Sequence, residues 1–440
     1  MIETFPKSSH EVGLNCQGSW TTVRGLRAIF ATEPRRSPLT WFPVAPRFFW
    51  KRLSFRDQPG RLLDTSIDRI EAWACSLPLA KPLRFGNFEV RAREYAAVRV
   101  GTRGGLVADC VAQTRKAPVD VAIHDVLAPA LIGRDALDIP ARQADLAGTL
   151  RALERDGVFS RGVALLEMCL HDLKAQAEGV PLWRLFRPAA EPLDVLLVEG
   201  YEMAPETDEV FAERLHGRRE EGYRRIKLEA AHYETPELLA RRVEAIRRRA
   251  GEDLRLVLDY AWSWPDVPHG LWHAACLREF GIEWIEDPFG RDRVADYTAV
   301  KAAAGIPIGA GDETTRPEQM RRLIEVGALD VARVDATTLG GFGAAEEVAR
   351  LAKAHGMRVS LHERPEVHQH AAFGWGLADH VEVFPTDRPF DCAHMLIREP
   401  AFGRIRDGRL APPTAAGTGL KLDDKALAAW ARRHGKVGGG

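Results

Sequence analysis

Leu254-Arg-Leu-Val-Leu-Asp259, Ile282-Glu-Trp-Ile-Glu286, Ile306-Pro-Ile-Gly-Ala-Gly-Asp312, Val331-Ala-Arg-Val-Asp335, Met357-Arg-Val-Ser-Leu-His362 and His380-Val-Glu382 are six short apolar runs, each closing on an acid or a histidine. Each run is strand-length, and one β/α unit separates each closing residue from the next. In a (β/α)8 barrel the strand C-termini converge on one mouth, where the chemistry sits. Three carboxylates, then an Asp, a His and a Glu, arrive there in order. That is the pattern of a metal site with a base beside it.

Working outward, the alternation extends upstream. Residues 194–198 and Arg225-Ile-Lys-Leu-Glu229 read as the first two strands, and residues 205–221 and 236–250 as the helices that follow them. The expected fold is α/β: a modified, TIM-like (β/α) barrel over residues 191–390 with an N-terminal α+β capping domain over 63–190. In the cap, residues 67–74 read as a strand and 78–86 as a loop. Two further strand-like runs, 95–100 and 106–110, flank Gly101-Thr-Arg-Gly-Gly105 as a hairpin. Helices are expected over 119–131, 141–154 and 160–179, the last stopped by Gly179 and Pro181. Gly340-Gly341 follows the strand ending at Asp335, where free helix amides can face a ligand. Residues 391–440 return toward the cap as an irregular segment, a short helix over 423–434 and a Gly-rich tail. Residues 1–62 are rich in Arg, Pro and aromatics without a persistent period. They read as a flexible or non-native extension that contributes no chemistry.

Composition narrows the classes. In 440 residues, 45% apolar and 28% charged content is ordinary for a globular protein. A net charge of −1 gives no general attraction to nucleic acid or to an anionic membrane. The Arg runs 218–219, 241–242 and 247–249 read as solvated helix faces. Cys16, Cys75, Cys110, Cys169, Cys276 and Cys392 form no CxxC pair, which suits a reduced, cytoplasmic protein. No stretch is apolar enough to span a membrane, and no secretory signal pattern is present.

Asp259, Glu286 and Asp312 offer three hard oxygens on neighbouring strand ends, the donor set of Mg2+. Asp335 and His362 end the next two strands. An Asp accepting from one imidazole nitrogen raises the basicity of the other, which makes His362 a candidate general base. Glu382, one strand further, would face the substrate as a hydrogen-bond donor or an electrostatic partner.

These residues carry a resemblance. The chain resembles the enolase superfamily, specifically its mandelate racemase-like subgroup, over about residues 66–423. Leu166-Glu-Met-Cys-Leu-His-Asp-Leu-Lys174 and Gly179-Val-Pro-Leu-Trp-Arg-Leu185 are similar to the segment leading into that family's barrel. Trp284-Ile-Glu-Asp-Pro288 resembles its fourth-strand motif, with Glu286 rather than Asp287 as ligand. Gly311-Asp-Glu313 resembles the fifth, Asp335 followed by Gly340-Gly341 the sixth, Ser360-Leu-His362 the seventh and Val381-Glu382 the eighth. The resemblance implies abstraction of the proton next to a carboxylate, through an enediolate, with Mg2+ holding a small carboxylate substrate. It implies that residues 78–86, and either 101–105 or the segment after Cys110, close over that substrate. Family members often assemble as dimers or octamers.

Two departures bear on the reaction. The family's second strand commonly reads Lys-x-Lys; here it is Lys227-Leu-Glu229. Lys227 keeps the first lysine, which would neutralise the substrate carboxylate. Glu229 replaces the second as a base, a leaving-group acid or a specificity residue. Ala261 stands where the family often has Asn. Without the second lysine, the expectation is a hydro-lyase: a sugar-acid dehydratase of carbohydrate catabolism giving a 2-keto-3-deoxy acid. The alternatives are a racemase or epimerase using Glu229, and a non-catalytic ligand-binding barrel.

Overall fold

A barrel strand is walled in on both sides, so it needs apolar or internally paired side chains along its whole length. Arg225–Glu229 meets that demand with all five residues buried. The computed structural model describes residues 56–58, 61–85, 88–201, 206–385, 387, 391–398 and 403–439. The expectation made for residues 1–62 lies almost wholly outside them.

Eight parallel strands close the barrel: β4 (Leu193–Glu199), β5 (Arg225–Glu229), β6 (Arg255–Asp259), β7 (Trp284–Glu286), β8 (Ile308–Ala310), β9 (Val331–Val334), β10 (Arg358–Leu361) and β11 (His380–Val383). Each pairs with the next, and β11 pairs back onto β4 through Val381↔Val195. Between consecutive strands run α3 (Asp208–Glu220), α4 (Pro236–Ala250), α5 (Val267–Leu277), α6 (Val294–Ala304), α7 (Pro317–Glu325), α8 (Phe342–Ala354) and α9 (Pro365–Trp375). α4 shows why they form: Pro236 starts it, and Leu239, Val243, Ile246 and Ala250 recur on its buried face. Arg241, Arg248 and Arg249 lie on the solvated side, as expected. Arg247 and Arg218 do not. Arg247 is buried and caps the Phe280 and Gly281 carbonyls, while Arg218 donates to Glu199. Among the described residues no helix is long and apolar enough to cross a membrane, and five cysteines are free thiols.

The cap is an antiparallel sheet of β1 (Ile67–Phe85), β2 (Phe88–Thr102) and β3 (Val107–Gln113), backed by α1 (Ile139–Thr149) and α2 (Gly157–Glu178). The expected hairpin around Gly101–Gly105 is β2–β3. The expected loop over 78–86 is instead the second half of β1. A register shift between Pro78 and Leu83 lets the ladder continue past Pro78 and Pro82 into a long arm. The expected helix over 119–131 is a continuous helical stretch over 119–130 whose hydrogen-bond pattern changes from α (Val119–Val121) to π (Ala122–Leu127) to 3-10 (Ala128–Ala130), the last turn holding Pro129, which has no N–H to donate. The Gly-rich tail is also a strand. After α10 (Asp424–Trp430), β14 (Ala431–Gly438) pairs antiparallel with β1; the intervening hairpin β12 (Ile405–Arg406) and β13 (Arg409–Leu410) flanks β4. Its Arg, His and Lys side chains make it a charged edge, the reverse of the apolar signal that marks a buried strand.

α2 bridges the cap and the barrel. Its Glu167 accepts the Phe342 and Gly343 amides at 2.8 and 3.2 Å, so a carboxylate of the chain itself caps α8. The Gly340–Gly341 turn is shaped by this contact. Gly341 has φ +110°, and a Cβ there would lie 2.4 Å from the Glu167 carboxylate. The amides expected to face a ligand are thus already engaged.

Also on α2, Asp172 is buried and accepts the Thr418 amide at 2.8 Å. Burial pushes its carboxyl up to about 6. The folded chain therefore holds this proton more tightly than the unfolded chain, where a carboxyl titrates near about 3.9. Stability present at low pH is lost as pH rises through that window. Asp172→Asn is expected to melt several degrees above the parent at pH 8, with the gap shrinking toward pH 5. Thermal denaturation at the two pH values reads this; an equal gap at both would remove the titration as its cause.

Candidate active site

Strand ends aim the site residues inward because alternate positions on a barrel strand face the interior. Asp259, Glu286 and Asp312 close β6, β7 and the β8 loop, and bring ligand oxygens within 4.8 Å of one another. All three are buried. Each carboxylate is held from behind. Asp259 accepts the Ala261 amide at 2.9 Å and the Tyr201 hydroxyl at 2.5 Å. Glu286 accepts from Trp284 Nε1 at 2.9 Å. Asp287 stays outside the group: its oxygens take the Gly311 and Asp312 amides at 3.0 and 3.1 Å and so position the Asp312 loop. Ala261, Trp262, Asp287, Glu313, Glu363 and Arg364 all have positive φ. Non-glycine residues pay of order 1–3 kcal/mol for such backbones, which cluster where a site fixes its side chains.

Lys227 points into the middle. Its Nζ lies 2.9 Å from both Glu286 Oε1 and Glu382 Oε2, 3.6 Å from Asp259 and 3.7 Å from Asp312. Burial would lower its pKa, but Glu286 and Glu382 hold it well above the usual lysine range. Glu382, from β11, also meets Arg333. Although burial opposes it, Lys227 and Arg333 hold this carboxyl well below the ordinary range. Paired so, Glu382 is an electrostatic partner of two cations rather than a hydrogen-bond donor.

His362 follows β10, with Nδ1 2.9 Å from Asp335 Oδ2 and Nε2 3.4 Å from Asp312 Oδ2. Asp335 is fixed in turn by the Thr337 amide and hydroxyl at 2.8 and 2.6 Å. With Nδ1–H donated to Asp335, Nε2 faces the carboxylate group. Burial alone would lower the imidazole, yet Asp312, Asp335 and Glu382 push it up to about 10. Asp312 makes its contribution only while its charge is uncompensated.

Glu229 closes β5 directly across from Asp259. Its carboxylate accepts the Ala231 amide at 3.1 Å and meets His232. Four groups escaped the sequence reading. Arg333 lies within an apolar run, and its signal was a lone charge at an inward strand position. Tyr201 follows β4 and reaches Asp259. Glu313 and Glu363 flank His362, their ligand atoms and its own within 4.8 Å of one another. Glu313 is paired with Arg115 (3.0 Å) and Arg161. Of the two segments expected to close from the β3 side, the one after Cys110 reaches the mouth, through Arg115. The 101–105 turn instead binds residues 64 and 66 at the start of β1. The β1–β2 arm reaches the mouth too, with Leu79, Leu83 and Val90 packed on Val198, Tyr201 and Phe384.

The donor set fits Mg2+: three carboxylate oxygens with no thiolate or imidazole among them. Two family profiles match the chain. "Mandelate racemase / muconate lactonizing enzyme, N-terminal domain" covers residues 70–186, and "Enolase C-terminal domain-like" covers 210–426. The chain belongs to the enolase superfamily. Within this superfamily it is similar to L-talarate/galactarate dehydratase of Salmonella typhimurium, with 26% identity over 68% of this chain and 73% of that one. It is also similar to L-Ala-D/L-Glu epimerase of Bacillus subtilis, at 26% identity over 66% of this chain and 79% of that one. Among solved structures, L-talarate dehydratase from Polaromonas sp. JS666, complexed with Mg and L-glucarate, superposes with a TM-score of 0.74. It is 25% identical over 85% of this chain and 99% of that one. The superfamily's barrel and cap are those described above. The chain is an enzyme of a superfamily that includes lyases and isomerases.

Proposed function

We propose that this enzyme is a Mg2+-dependent dehydratase of sugar acids. The observation that carries the reading is the asymmetry of the mouth. His362, backed by Asp335, faces the carboxylate group, while Glu229, at the second lysine's place, turns to Ala231 and His232. A two-base inversion needs a base on each face; elimination needs only one group that takes a proton and returns it.

Asp259, Glu286 and Asp312 would hold the ion, which supplies positive charge for the substrate carboxylate as negative charge develops on it. Lys227 lies beside the same place and adds a second positive charge to that carboxylate. His362 Nε2 takes the proton from the carbon next to the carboxylate, leaving an enediolate. The neighbouring carbon–oxygen bond then breaks, and the hydroxyl leaves as water carrying the proton from Nε2. The resulting enol rearranges to the 2-keto-3-deoxy acid. Asp335 holds the imidazole in one tautomer through both transfers. Arg115 and the β1–β2 arm cover the substrate's far end. The dehydratase relatives support this reading, and the epimerase relative keeps inversion as the second one.

A library of aldonic and aldaric acids, incubated with the enzyme and Mg2+ in deuterated water, separates the two. A 2-keto-3-deoxy product is expected from at least one acid. Deuterium in inverted substrate with no dehydration product would instead establish the epimerase. No turnover of any acid would favour a ligand-binding barrel.

A further inference from the structure

Arg333 is the inward residue of β9, two positions before Asp335, and has 0% exposure. Its guanidinium reaches three carboxylates at once. Nε lies 2.9 Å from Asp312 Oδ1 and 3.1 Å from Glu286 Oε2, and Nη2 donates to Glu382 Oε2. Nη1 donates to Ser360 Oγ at 2.5 Å. A charge buried this deeply costs several kcal/mol unless it is paired and hydrogen-bonded, and here every nitrogen is engaged.

The pairing sets a charge balance. Asp259, Glu286, Asp312 and Glu382 bring four negative charges to one buried volume; Lys227 and Arg333 bring two positive ones. Two negative charges remain, the complement of a divalent ion. Without Arg333, one lysine would face four carboxylates, and their repulsion would spread them or make them take up protons. A lysine at 333 would restore the charge but not the planar fork that reaches separate carboxylates.

We propose that Arg333 is a positioning residue of the cation site: it fixes Glu286, Asp312 and Glu382 and, with Lys227, matches the cluster's charge to a divalent ion. The proposal rests on the metal reading above and concerns ion affinity and selectivity rather than the reaction.

Calorimetric titration with Mg2+ and luminescence titration with Tb3+ test it on the parent, Arg333→Gln and Arg333→Lys. Arg333→Gln leaves three net negative charges and is expected to shift the Tb3+-to-Mg2+ affinity ratio toward the trivalent ion by at least about tenfold. Arg333→Lys is expected to keep the parent's ratio while Mg2+ affinity falls by about 10–100-fold, as loss of a group supporting metal ligands does. If Arg333→Gln does not fold without metal, its melting temperature with each ion replaces the titration, Tb3+ being expected to rescue it more strongly. Unchanged affinity in Arg333→Lys, or an unchanged ratio or equal rescue in Arg333→Gln, overturns the proposal. A parent that binds no Mg2+ would instead sink the metal reading itself.

Discussion

His362→Asn is expected to lower kcat by about 10²–10⁴-fold, the contribution of a positioned general acid–base. Asparagine fits the space but cannot take a proton, so both transfers lose their carrier. The Asp335–Thr337 contacts do not involve the imidazole and should persist. His362 donates no oxygen to the cation, so Mg2+ affinity should stay within a few-fold of the parent. Steady-state turnover on an acid found by the screen, alongside calorimetric titration, checks both halves. Turnover that survives would transfer the base role elsewhere, with Glu229 first in line.

Glu286→Gln should be as severe for a different reason. Glu286 sits between Trp284, Lys227 and Arg333 and is one of three proposed ligands. An amide keeps the shape but offers one neutral oxygen. Loss of the ion's charge stabilisation is worth several kcal/mol, or at least about 10³-fold in turnover. Thermal melting separates this from misfolding. Mg2+ should raise the parent's melting temperature, since an ion that binds the folded state stabilises it. It should leave the variant's unchanged. In chelator the variant should melt no lower than the parent, because one of four crowded carboxylates has gone. An equal Mg2+-induced rise in both proteins would remove Glu286 from the ligand set.

The barrel was legible because its signal is local and repeated. Each run from β5 to β11 is short, each from β5 to β10 is followed by a helix, and the residue closing each run falls at the mouth whatever the loops do. Asp259, Glu286, Asp312, Asp335, His362 and Glu382 all gather there for that reason, and Lys227 reaches them from two positions before the end of β5. The missed features depend on partners distant in sequence. β14 is polar and exposed, and becomes a strand only because β1 offers an unpaired edge. The arm over 78–85 contains two prolines, Pro78 and Pro82, and reads as a loop until β2 pairs with it. Arg333 looks like a surface charge until the barrel closes around it. Glu167 gives no sign that it will cap a helix more than 170 residues away. Glu229 was visible as a departure, but the direction of its carboxylate is set by the Ala231 amide and His232.

The cap sheet takes its first strand from ahead of the barrel in the chain and its edge strand, β14, from beyond the barrel. During synthesis the barrel strands therefore emerge from the ribosome before the sheet that covers them can be completed. β1 waits with its Trp73 side of the ladder open until residues 431–438 arrive. A truncation or bulky fusion that disturbs residues 431–438 would strike the cap sheet itself, not a dispensable tail.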